Sequence, residues 1–402
     1  MELERDRPFI LWRQVWGLAA LLSAAMLSWM IYSLYQPKIL HNLGFINLAV
    51  WLSILQGLLG ALLEPIVGGL ADRFQYRLGS RLPLITAGVT LTGLIFVGTA
   101  LLLQWTIPTE LRWLVPILMT LWVMSMIVFR GPVVGLLRQA APLAQLPQAN
   151  VVLTMVFGLI GAAAPLLTNL LNHFGASIAF VTGAIALTLG ATIFYKVTPS
   201  GTLFSEPTSA PSPVSRRQIV LLLSLGFGVG LIINLLLRSF PQILHLQIPN
   251  INADWLTTLI LFVSALVAIP MAAFAAKLGV KPLMRLGLGI TLICFAGLQI
   301  PTTSPCFFAA IALLAGIAFG MIFESQIPLA LSYLPANRSG LSTGLYFGGI
   351  GAATTVQSIL LQQEILKFSP DALSNAIDLE FHLALTAIAL AFLSLSTPLR
   401  SR

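Results

Sequence analysis

The sequence predicts an all-α membrane protein of twelve transmembrane helices, arranged as two pseudo-symmetric six-helix halves. Three observations carry this. Hydrophobic residues make up 57% of the 402 positions and charged residues only 8%, with a mean hydropathy of +0.94, outside the range of soluble domains. The apolar residues gather into twelve stretches, each near the roughly 20 residues that a bilayer-crossing helix needs. A segment at 198–217, reading TPSGTLFSEPTSAPSPVSRR, separates six stretches from six and is too rich in Ser, Pro and Thr to build a core.

The stretches follow in order. The first, at 14–36, is too long for a secretion signal and lacks a small-residue cleavage site, so it is expected to stay as a helix. The second, 45–70, contains Pro65, and the third, 83–104, opens on Pro83, where a missing N–H does no harm. The fourth, fifth and sixth run 112–137, 149–172 and 176–196. Beyond the linker lie 217–238, 255–276 with Pro270, 283–301 opened by Pro282, 305–334, 341–366 and 379–397. These give domains at 1–197 and 218–402 joined by 198–217.

An internal repeat supports the two halves. Pro65 precedes Asp72 by the same interval as Pro270 precedes Lys277, and a helix-opening proline follows each. Further on, Phe157-Gly158-Leu-Ile-Gly161-Ala-Ala is answered by Phe347-Gly348-Gly-Ile-Gly351-Ala-Ala in the equivalent eleventh stretch.

The net charge of +8 does not point to nucleic acid, because the basic residues are dispersed. All but four of the 21 Lys and Arg residues, the exceptions being Lys38, Arg112, Arg238 and Lys367, fall on the side that holds both termini. By the positive-inside rule that side is cytoplasmic, which places the chain as a multi-pass protein of the plasma (inner) membrane. The two cysteines, Cys294 and Cys306, form no framework, and none of the four histidines has a metal-ligand partner at useful spacing. No cofactor or metal is expected. No Ser-centred elbow, P-loop or paired soluble carboxylates point to an enzyme.

The loop after the second stretch is the most specific segment. Gly68-Gly69-Leu70-Ala71-Asp72-Arg73 followed by Arg77, Gly79 and Arg81 resembles the signature loop of the major facilitator superfamily. Its longer spacing is similar to that of the sucrose-transporter and glycoside-pentoside-hexuronide symporter branch. Arg130-Gly131-Pro132 with Asn150, and Arg338 through Tyr346, resemble the same branch. Gln139 and Gln56 stand where that branch tends to carry acids. The resemblance implies proton-coupled secondary transport of a small polar solute, a sugar, by alternating access. It also implies a partner set of solute, proton or other cation, and lipid, with the chain acting as a monomer.

Two site expectations follow from these residues once they are placed in the fold that the resemblance implies. Asp72 is expected to dock on the free amides that open the eleventh helix, Ser339 to Gly344, with Arg73, Arg77 and Arg81 holding the loop as a cytoplasmic gate. Gly60, Glu64, Gly68 and Asp72 recur every four residues, as do Gly340, Gly344 and Gly348, so the second and eleventh helices are expected to touch closely. Within the bilayer, ionisable residues are costly unless paired or wetted. Glu64 and Arg130 lie at matching depths for a pair, and Arg130 facing Glu324 and Gln326 would give a central cavity a cation, an acid and an amide. Tyr32 and Asn234 are further candidates to bond a hydroxylated solute. Two other readings stay open: an exporter of a hydrophobic or amphipathic compound, and a non-transporting assembly or pigment-delivery protein of the same fold.

Overall fold

The computed structural model describes residues 10–105, 107–198, 212–248, 252–300, 304–363 and 373–396. Lys367 and most of the linker, 199–211, lie outside them. Among the described residues, twelve helices are long and apolar enough to cross a membrane. We label them α1 (Trp12–Asn42), α2 (Leu48–Leu78), α3 (Leu82–Leu102), α4 (Thr109–Ala140), α5 (Leu143–Ala162) and α6 (Ala164–Val197). The second set is α7 (Arg216–Gln247), α8 (Ala253–Leu278), α9 (Val280–Gly297), α10 (Cys306–Tyr333), α11 (Ala336–Gln362) and α12 (Leu373–Ser396).

Several boundaries differ from the hydropathy windows, each for a local reason. The helix α2 runs on to Leu78, because residues such as Arg73, Gln75 and Arg77 favour helix although they fall outside an apolar window. It stops at Gly79, whose φ of 72° is open to glycine without strain. Asp72 therefore sits nearly two turns inside the helix rather than at its end. The linker is shorter than expected at its far side. Ser215 and Gln218 form a capping box, so α7 already begins at Arg216. Near its other end α7 widens into a π-helical stretch, Leu235–Ser239. Pro241 follows two residues later and has no N–H for the ordinary i→i−4 bond. Gly175, with φ 79° and ψ 168°, breaks α6 close to the gap expected between the fifth and sixth stretches. The helix boundary at Ala163 is a kink ahead of Pro165.

Helices meet where side chains are smallest, as expected where lipid gives no hydrophobic drive between them. The longest seam joins α2 to α11. A Cβ on Gly68 would meet the Gly344 Cα at 3.2 Å, and one on Gly348 would meet Pro65 and Ala61 at about 3.0–3.1 Å. Further along, Gly351 lies against Ala61 and Gly57. The repeat seen in the sequence has the same use at a second seam. Gly158 and Gly161 of α5 pack against Leu261 of α8, as Gly348 and Gly351 of α11 pack against α2. Both copies therefore place their glycines where the first six spans touch the last six.

Candidate functional site

Between these seams lies a cavity of about 300 Å³, walled by α1, α4, α5, α10 and α11. Four of its sixteen lining residues are polar: Arg130, Asn150, Thr154 and Gln326. The rest are apolar, and several are aromatic. Phe157 and Phe323 stack at 4.1 Å between centroids, and Phe347 lies under the Arg130 guanidinium at 4.8 Å. Trp29 closes the α1 side.

Arg130 Nη2 donates to Glu64 Oε1 at 2.5 Å, so the depth match between α2 and α4 becomes an ion pair. The two partners differ in surroundings. The Glu64 side chain is wholly buried, while 34% of the Arg130 side chain remains accessible from the cavity. Arg130 Nε and Glu64 Oε2 have no hydrogen-bond partner, so the pair uses only part of its capacity. Gln326, which also lines the cavity, accepts from the Tyr346 hydroxyl through Oε1 at 2.5 Å.

Glu324 is placed differently from the expectation. It does not face Arg130. It is fully buried, accepts from Thr154 Oγ1 at 2.9 Å, and lies beneath Asn150, whose Nδ2 donates to the Glu324 carbonyl at 3.1 Å. The reason is angular. Residues two apart on a helix point about 200° apart, so Glu324 and Gln326 cannot share a face. Glu324 thus joins α10 to α5 behind the cavity wall, with Oε1 unpartnered. Asn234 is also displaced: it bridges α7 to α11 through the Gly230 carbonyl and Thr354. Tyr32 is 2% exposed, stacked on Trp122 at 4.4 Å and bonded by Gln56, away from the cavity.

At the end of the bundle that carries the α2–α3 loop, Asp72 meets the start of α11. Its Oδ1 accepts from the Gly340 amide at 2.9 Å and its Oδ2 from the Leu341 amide at 2.8 Å. Arg81 Nη2 adds an ion pair at 2.6 Å. The turn at Gly79 brings Arg81 back over Asp72, and Arg81 is 1% exposed, against Gly135 of α4. Burial lowers the Arg81 guanidinium from its ordinary value, and the Asp72 carboxylate opposes that shift. Gly340 and Gly344 have no room for a side chain: a Cβ on Gly340 would sit 2.6 Å from Asp72 Oδ1, and one on Gly344 would overlap the Glu64 backbone. Arg73 and Arg77 stay exposed and take no part in the contact, unlike the expectation that all three arginines hold it.

Two features escaped the sequence reading. The aromatic lining looks like any other apolar sequence, so only the fold reveals it. Glu380 is wholly buried in α12, but the window beginning at 379 put it at a helix end; the helix begins at Leu373 and carries it two turns inside. In the other direction, Asn150 and Thr154 stand one turn apart on α5, and that spacing is a readable sign of a shared face.

Twelve apolar helices thus surround a partly polar cavity that lies between the first six spans and the last six. The Major Facilitator Superfamily model matches residues 17–356, and the chain belongs to that family. It is accordingly a transporter of some solute rather than an enzyme. Solved structures share the fold. A bacterial homologue of the iron transporter ferroportin, in an outward-facing state, matches with a TM-score of 0.71 at 16% identity, over 97% of this chain and 100% of that one. The human organic anion transporter MFSD10 (TETRAN) matches at 0.65 and 14%, over 94% and 99%. The nucleoside transporter NupG matches at 0.60 and 12%, over 96% and 98%. No protein of curated function matches the chain in sequence.

Proposed function

We propose that this protein carries a small amphipathic solute bearing an acidic group, in exchange for contacts now made by Glu64, and that a proton on Glu64 couples the movement. The observation that supports this is the cavity lining: one accessible guanidinium among walls that are otherwise mostly apolar and aromatic. A sugar offers hydroxyls all round its ring and needs partners on every side, and a buried hydroxyl left unpaired is costly. Four polar lining residues serve an amphipathic anion better, so the exporter-like reading of the sequence gains over the sugar reading.

The coupling follows from competition for Arg130. A carboxylate solute and an ionised Glu64 cannot both be satisfied by one guanidinium. Protonation of Glu64 releases Arg130, and the solute then takes its place, so anion and proton are bound together. Asp72 and Arg81 act as the cytoplasmic gate, held by the amides of Gly340 and Leu341; the orientation rests on the charge asymmetry of the loops. Glu324 serves as a tie between α5 and α10 rather than as a solute ligand.

Purified protein is expected to gain thermal stability with phenylacetate or octanoate and none with sucrose, because a ligand that binds only the folded state raises the midpoint. Arg130→Gln removes a charge-assisted contact, which weakens carboxylate binding by roughly 10- to 100-fold. A shift with sucrose but not with either carboxylate contradicts the assignment.

A further inference from the structure

Away from the cavity, three polar side chains of the last six spans meet with hydrogen-bonding capacity unused. Glu380 of α12 is 0% exposed, and neither of its carboxyl oxygens completes a hydrogen bond. It lies beside the Ser239 hydroxyl of α7. Ser239, itself buried, accepts from Gln357 Nε2 of α11 at 3.3 Å. Gln357 is 2% exposed and its Oε1 has no partner. Ser239 also closes the π-helical stretch Leu235–Ser239, a local widening of the kind that recurs at functional sites.

Among the described residues, no side chain neutralises Glu380. The helix α11 carries no charged residue between Ser339 and Gln362. On α9, Arg285 bonds the Leu395 carbonyl, which is roughly 22 Å further along α12 at 1.5 Å per residue. Arg216 and Arg217 lie at that same far end of α7. Arg238 is exposed and adjoins Ser239, so it points to another face, and His245 lies nearly two turns beyond. On α12, Asp378 and His382 flank Glu380 at two residues and also face elsewhere. Glu380 makes no ion pair among the described residues.

A bare carboxylate at this depth is too costly to persist. We propose that Glu380, Ser239 and Gln357 form a monovalent-cation site, filled by sodium or by a proton, between α7, α11 and α12 and separate from the cavity at Arg130. The ligands are the oxygens of Glu380 and Ser239, joined by Gln357 Oε1 once its amide turns over from the orientation that directs Nε2 at Ser239, and hard oxygens suit an alkali cation or a proton. With one carboxylate, a divalent ion would be left with uncompensated charge. Filling the site ties together three helices, two of which already pack backbone to backbone: Gly226 of α7 against Tyr346 of α11, and Gly349 of α11 against Leu223 of α7.

The test uses the purified full-length protein and its unfolding midpoint, read in sodium against choline chloride at fixed pH and ionic strength, and across pH without sodium. If sodium fills the site, the wild-type midpoint rises with sodium. That response vanishes in Glu380→Gln, and Ser239→Ala raises the half-saturating concentration about tenfold, the effect of losing one ligand worth about 1.4 kcal/mol. If a proton fills it, sodium has no effect, and the wild-type midpoint falls as pH rises by a component that Glu380→Gln lacks. Where Glu380→Gln yields no folded protein, Ser239→Ala and Gln357→Leu give the same comparison. Sodium and pH responses identical in wild type and variants overturn the proposal. This outcome is independent of the carboxylate-binding test at Arg130, which reads a different site.

Discussion

Gly344→Val is expected to destroy the seam between α2 and α11 and with it the folded protein. A Cβ on Gly344 would overlap the Glu64 carbonyl and lie 3.0 Å from the Glu64 carbonyl carbon and 3.2 Å from the Gly68 Cα. All three are backbone atoms, so no side-chain rotation makes room. The helices have to separate, and the separation propagates along a contact that runs from Gly57 to Asp72. Overpacking typically costs about 1–3 kcal/mol and more where backbone must shift. Here the shift also draws Glu64 away from Arg130 and the α11 amides away from Asp72. Size-exclusion of detergent-purified protein is the check: aggregated or low-midpoint material is expected for the valine variant, with Gly344→Ala intermediate.

The second large effect is that of Asp72→Ala. It removes the acceptor of two backbone amides and strands Arg81, which is nearly without solvent contact. Breaking a buried ion pair by deleting one partner costs about 3–5 kcal/mol, because the remaining charge is left uncompensated. Transport is expected to fall at least about tenfold, the factor that 1.4 kcal/mol brings. Adding Arg81→Leu to Asp72→Ala takes away the stranded charge, so stability recovers in part while transport does not. Unfolding midpoints of the single and double variants, read beside solute uptake, separate the two contributions. Equal midpoints for both proteins would mean that Arg81 is not stranded by the loss of Asp72.

The parts of this arrangement that sequence made legible are those in which a residue type has one use. Glycines at 60 and 68, and at every fourth position from 340 to 348, mark faces of close approach, which the sequence could assign to an α2–α11 seam or to packing within one half. Asp72 beside the start of α11 was readable only through the fold that the signature loop implies, which brings that helix start near a carboxylate that free amides favour. The cavity lining was not, because Trp29, Phe157, Phe323 and Phe347 look the same in sequence whether they face lipid, core or solute. Glu324 departs from the expectation because Gln326 takes the cavity side of α10, and the offset of about 200° between them turns Glu324 toward Thr154 of α5. Glu380 was overlooked because an apolar window trims polar residues from a helix end, even where the helix continues past them.

Flux through the purified protein tests the coupling claim most directly. Proteoliposomes containing wild type or Glu64→Gln are loaded at pH 7 and diluted into acidic or matched medium with labelled phenylacetate, and empty liposomes correct for passive entry of the neutral acid. The inward proton gradient is expected to drive uptake above equilibrium in wild type. Glu64→Gln, which leaves Arg130 without a titrating competitor, is expected to equilibrate the solute at a rate indifferent to the gradient. Gradient-driven accumulation of equal size in both proteins, or no protein-dependent flux in either, would contradict the assignment of Arg130 and Glu64 as the coupled pair.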